Sequence, residues 1–262
     1  MNTIRRVRAV VEYDGARFSG FQRQADVRTV QGALEEAIVA STGVRATVKG
    51  AGRTDAGVHA VGQVISFLTP TRMSDARLQR AINAHLPVDV VVTEIMTVST
   101  DFDPQRDAIT RVYEYRIEQR PTRPVLGRWR SWHLIQPLDL ERMRKVAKCF
   151  VGTHDFFAFT TGQQGNTQRE VQAVEIWTEG SLVFIRISAR AFLYRMVRRI
   201  VATLVRAGQD GLEAGEVEDI LRLRLRERVM GTAPAHGLTL IQVMYSDHDY
   251  RYNEVFKEEV VV

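Results

Sequence analysis

Gly50-Ala51-Gly52-Arg53-Thr54-Asp55-Ala56-Gly57-Val58-His59-Ala60 has no apolar period, and its glycines frame a charged Arg-Thr-Asp core. Glycine lets a backbone turn sharply and come close to a ligand. Directly after this stretch, Val61 to Leu68 is an apolar run that reads as a buried strand. A carboxylate held in a loop beside such a strand is placed as catalytic groups often are. Arg53, two residues before Asp55, puts a cation within reach of that carboxylate. The same residues also suit a tight turn whose Asp caps the backbone.

Upstream, Val7, Ala9, Val11 and Tyr13 recur with a period of two and predict a strand over Val7–Tyr13. A polar loop, Asp14 to Arg28, leads to Thr29, an N-cap for a helix with Val30, Leu34, Ala37 and Ile38 on one face and Gly43 at its end. Downstream, Ser74 to Leu86 has helical spacing and stops at Pro87, and Val88 to Val98 is a valine-rich strand. The second half repeats the mixture. Strands are expected at Arg111–Ile117, Val171–Trp177, Leu182–Ser188 and Leu238–Tyr245, and helices at Leu140–Phe150, Phe192–Ala207 and Val217–Leu223. A Pro/Arg-rich connection fills Arg120 to Trp132, and the tail from Asp247 is polar and reads as loose. The expected fold class is α+β. Two lobes, residues 1–104 and 105–262, carry mainly antiparallel mixed sheets joined into one extended sheet, with helices on one face and a cleft between the lobes.

The chain of 262 residues is 45% apolar, enough to bury a core. Its single cysteine, Cys149, forms no internal disulfide and reads as a core residue. The basic start, Met1 to Arg8, lacks the apolar segment of a signal peptide. No apolar run reaches the length of a membrane span, so a cytoplasmic protein is expected. The net charge of +5 favours polyanionic partners. Its positive residues are arginines, apart from Lys49, Lys145, Lys148 and Lys257. Arginine forks onto phosphates and stacks on bases, although codon bias or thermal adaptation would enrich it too. The histidines have no metal spacing, so no metal is expected, and His59 and His154 read as structural.

The segment Gly52–Ala60 resembles the signature of the tRNA pseudouridine synthase A (TruA) family. Tyr13-Asp14-Gly15 with Phe18–Gln22, Thr29-Val30-Gln31-Gly32, Arg80-Ala81-Ile82-Asn83 and Gly152–Phe156 resemble further family motifs. So do Phe102–Tyr115, Phe192–Arg198 and Ala233-Pro234 with Gly237-Leu238. The resemblance runs from about Val7 to Tyr245. It implies that Asp55 is the nucleophile and that Arg53 helps displace the target base and hold RNA. It also implies that Tyr113 stacks on that base and takes its C5 proton, and that Arg198 pairs with Asp55. It further implies isomerisation of uridines 38–40 in the tRNA anticodon arm, by a homodimer whose basic cleft spans both subunits. Two departures stand out. Gln105 and Arg106 replace an Arg and an aromatic or small residue, and the loop between Phe159 and Arg169 is short.

The chemistry fits a cofactor-free site. One C–N bond breaks and one C–C bond forms, with no net oxidation, and neither a Rossmann nor a P-loop signature is present. A carboxylate nucleophile suits such a reaction, whether it attacks C1′ or C6 or removes the 2′ proton. Two other functions remain open at this level: a non-catalytic RNA-binding protein, and a nucleosidase or glycosidase pairing Asp55 with a second acid such as Asp14.

Overall fold

The computed structural model describes residues 4–162 and 165–246. The tail from Asp247, and Gln163 and Gln164 in the short loop, lie outside the described residues. The first half supplies β1 (Arg5–Tyr13), α1 (Val30–Thr42), β2 (Lys49–Gly50), β3 (His59–Thr69), α2 (Asp75–His85) and β4 (Val90–Val98). The second half supplies β5 (Thr110–Gln119), β6 (Trp132–Leu134), α3 (Leu140–Lys148), β7 (Gly152–Asp155), β8 (Gln168–Glu179) and β9 (Leu182–Ala189). It ends with α4 (Met196–Asp210), α5 (Ala214–Leu223) and β10 (Leu238–Met244). The fold is α+β as expected, built on one extended mixed sheet in the order β4-β1-β3-β10-β5-β9-β8-β7. Neighbours are antiparallel except β10 on β3 and β6 on β5.

The last strand joins the halves. β10 lies between β3 of the first half and β5 of the second, so Leu240 is opposite both Ala60 and Tyr113. Adjacent strands are about 4.8 Å apart. The end of the Asp55 loop and Tyr113 are therefore only two strand spacings apart, although the chain between them passes through α2 and β4.

Local chemistry explains most boundaries. Thr29 accepts a hydrogen bond from the Gly32 N–H, and Gly43, with φ +71°, closes α1. The three short strands β2, β6 and β7 were not expected, because two to four residues carry no readable period. The helix expected at Phe192–Ala207 instead starts at Met196 and runs to Asp210. Arg195 has φ +61°, which no right-handed helix contains, so Phe192 to Arg195 form a loop. Cys149 is not in the core proper. It is partly buried, packed against the core's edge, with its Sγ 3.7 Å from the Ala214 carbonyl.

α4 positions the site from the second half. Met196, Val197, Ile200, Val201, Leu204 and Val205 are all buried. Each such side chain contributes about 1.5–3 kcal/mol on burial. A single ion pair contributes far less net free energy. Hydrophobic packing therefore decides where α4 lies, and Arg198 is carried along with it.

Candidate active site

The Asp55 loop is held from several sides. The Tyr13 hydroxyl lies 2.8 Å from the Thr54 hydroxyl, and the Gln63 amide donates to the Gly52 carbonyl at 2.9 Å. The Phe21 N–H donates to the Thr54 carbonyl at 3.1 Å, and the Val58 N–H to the Asp55 carbonyl at 3.1 Å. Two glycines make this possible. Gly57 has φ +80°, and a side chain on Gly20 would meet the Thr54 carbonyl oxygen at 2.9 Å. The loop is thus a turn fixed against β1, β3 and the segment before α1. The Asp55 carboxylate takes no part in capping it.

That carboxylate instead accepts a hydrogen bond from Arg198 of α4 at 2.6 Å, across 143 residues of sequence. The side chains are only 18% and 14% exposed, so water screens the pair weakly. Arg198 is itself oriented, its Nε donating to the Ala233 carbonyl at 2.8 Å. The guanidinium can therefore hold the carboxylate in one rotamer with an oxygen facing the cleft. Arg53 does not make this contact. It is exposed, in the cleft wall, and has no carboxylate partner among the described residues.

Tyr113 is buried in the floor of the same cleft, with Phe192 edge-on at 5.3 Å. Its hydroxyl has no hydrogen-bond partner among the described residues. Burial pushes its phenol well above the usual value, with the Tyr13 hydroxyl and Asp55 adding to the rise and Arg111 opposing it. The group is thus a neutral ring at ordinary pH. It suits stacking, and it can take a proton from a substrate only while passing its own onward.

Arg111, not singled out from the sequence as a site residue, is the most heavily used side chain here. It is 6% exposed and has no carboxylate partner among the described residues. It donates to the Ala51 carbonyl at 3.0 and 2.6 Å, to the Gln105 carbonyl at 2.9 Å, and to the Arg190 carbonyl. One guanidinium thereby ties the Asp55 loop to the link between β4 and β5 and to the loop before α4. Burial lowers its pKa, as expected for a cation without an anionic partner. The signal available in sequence was its place on the Arg111-Val112-Tyr113 face, which alternation puts beside Tyr113.

The cleft itself has a volume of about 1350 Å³, and its wall includes the exposed Arg53, Arg190 and Arg195. Small-molecule sites usually occupy about 300–1,000 Å³. Of the residues departing from the family pattern, Gln105 serves through its carbonyl, whereas Arg106 is neutralised by Asp107 at 2.8 Å. His59 is structural, accepting from the Gly15 N–H at 3.1 Å, and His154 is near the Val151 carbonyl. Asp14 caps a turn through the Ala16 N–H, lies 3.1 Å from His59, and is not among the residues lining the cleft.

A family model described as tRNA pseudouridine synthase matches residues 9–105 and 146–246. The chain belongs to this family. It is 44% identical over 245 residues to a tRNA pseudouridine synthase A of Thermotoga neapolitana, covering 92% of this chain and 100% of that one. The corresponding protein of Thermotoga maritima is 43% identical, again covering 92% and 100%. That of Yersinia pestis is 39% identical and covers 91% of each chain. The family's first matched block contains the Asp55 loop and its second contains Arg198, so the two partners of the ion pair come from separate blocks.

Proposed function

We propose that this chain isomerises uridine to pseudouridine in tRNA, at positions 38–40 of the anticodon arm, with Asp55 as the nucleophile. The observation that carries the reading is the Asp55–Arg198 pair beside Tyr113, in a cleft whose wall exposes Arg53, Arg190 and Arg195, none with a carboxylate partner among the described residues. In the reaction the N1–C1′ bond breaks, the detached base turns, and a C5–C1′ bond forms. C5 gives up its proton and N1 gains one, so atoms and charge balance. Asp55 holds the intermediate covalently, or removes the 2′ proton, while the base turns. Tyr113 stacks on the base and relays the C5 proton. Arg53 fills the space left in the RNA, offsetting an unstacking cost of a few kcal/mol.

A protein that only binds RNA has no use for a shielded carboxylate, since a polyanion is repelled by it. The lobes proposed for the two halves, residues 1–104 and 105–262, would supply Asp55 and Arg198 respectively. A homodimer would extend the basic surface along the tRNA, and such an enzyme would work in the cytoplasm beside its substrate. The test is tritium release from C5-labelled uridine in tRNA, together with mass spectrometry of the product. Wild type should release tritium at unchanged RNA mass. Asp55→Asn should slow release by about 10⁴-fold or more while still binding tRNA. Turnover by the purified variant would refute the assignment, and a free base or abasic site would indicate a glycosidase.

A further inference from the structure

Among the described residues, Asp26, Arg195 and Arg224 are the non-glycine residues with positive φ. Two have ordinary explanations. Asp tolerates the left-handed region, and Arg224 closes α5 where helices commonly enter it. Arg195 has neither. It precedes a helix rather than ending one, and its side chain makes no capping hydrogen bond. A long side chain is disfavoured at φ +61°, ψ +7°, so the surroundings must impose the conformation.

Those surroundings are visible. The buried Thr160 hydroxyl donates to the Tyr194 carbonyl at 3.0 Å. The Met196 N–H donates to the Leu193 carbonyl at 3.0 Å, and Phe192 packs against Tyr113. The segment is pinned on both sides of the strained residue. The result is an exposed pair on the cleft wall, with the Arg195 guanidinium 4.9 Å from the centre of the Tyr194 ring. Tyr194 is 53% exposed, and Arg195 has no carboxylate partner among the described residues.

We propose that Tyr194 and Arg195 form a binding subsite for the nucleotide adjoining the one that is modified. Tyr194 stacks on its base with the ring face that the guanidinium leaves open. Arg195 takes the phosphodiester, and the left-handed turn aims both into the cleft. This rests on the synthase reading, and it adds a second point of grip beside the target nucleotide. Base stacking on an aromatic ring tolerates any sequence, and a phosphate contact adds a salt-dependent term.

The experiment compares Arg195→Asn, Arg195→Gly and Tyr194→Ala in the full chain, with an anticodon stem-loop RNA as the probe. Binding is measured across a salt series, thermal melting without RNA, and tritium release in parallel. Both Arg195 variants should keep or raise Tm, because Asn and Gly accept positive φ more readily. Both should weaken binding several-fold and flatten the salt dependence by about one unit of slope. Tyr194→Ala should weaken binding by about 5-fold to 100-fold with the slope retained. Unchanged affinity and slope in the Arg195 variants, or unchanged affinity in Tyr194→Ala, would overturn the subsite. A lowered Tm in both Arg195 variants would overturn the strain argument on which it stands. Wild type that binds the RNA but releases no tritium sinks the synthase reading instead, so the two failures are separable.

Discussion

The floor and the wall of the cleft treat their arginines in opposite ways. On the floor, Arg111 and Arg198 are shielded, and between them they bond to the Ala51, Gln105, Arg190 and Ala233 carbonyls and to Asp55. On the wall, Arg53, Arg190 and Arg195 are exposed and have no carboxylate partner among the described residues. A guanidinium with its donors already engaged cannot grip a ligand tightly, but it can fix the geometry of a reacting group. A free one in water contributes little to stability and is available to a phosphate. Under the proposed function, the floor arginines are expected to set turnover and the wall arginines to set affinity.

The largest effect that would break this division is expected at Arg198. Arg198→Met should lower kcat by about 10²–10³-fold with little change in KM, measured as initial rates of tritium release. A change confined to KM would move Arg198 from the floor's role to the wall's. Arg111→Met comes next. It strands the carbonyls that Arg111 now satisfies, so chemical denaturation should show a loss of about 2–4 kcal/mol. Its activity defect should also fall on kcat more than on KM. Arg53→Ala should leave Tm unchanged and weaken tRNA binding by several-fold, with a salt slope flatter by about one unit. An equal loss at high and low salt would show that Arg53 does not meet a phosphate.

The smallest effect sharpens the account of the floor. Burial pushes the Tyr13 phenol up to about 12, and its hydrogen bonds with Thr54 and Gln63 only partly oppose the rise. A raised value in the folded state means the stability it lends is complete below pH 10, the ordinary phenol value, and is lost as pH rises through about 12. Tyrosinate absorbance should therefore show Tyr13 among the late-titrating tyrosines, and Tyr13→Phe should lower the late amplitude by one tyrosine, leaving the buried Tyr113 and Tyr115. A normal titration would mean that the support beneath Thr54 is open to water.

Much of this was legible along the chain. The glycine-framed loop, the alternation of β1 and β5, and the capped helix α1 each depend on neighbours within a few residues, and local sequence carries that information. The resemblance to the TruA family also implied an Asp55–Arg198 pair, and the two side chains lie 2.6 Å apart. The misreadings share a cause. Arg195 breaks the apolar helix pattern because Thr160 and Leu193 pin its flanks, and such tertiary constraints leave no period in sequence. Cys149 looked like core in an apolar run but is partly buried at its edge.

Sequence alone determined the class of elements, the turn that bears the carboxylate, and a net positive charge that favours polyanionic partners. The tertiary structure alone decided that the last strand lies between the two halves and that α4's apolar stripe carries Arg198 to Asp55. It also decided that Arg111 spends its donors on three separate segments. The reason is that burial and backbone hydrogen bonding act between residues distant in sequence. The partner of a charged side chain is chosen by where the core places it.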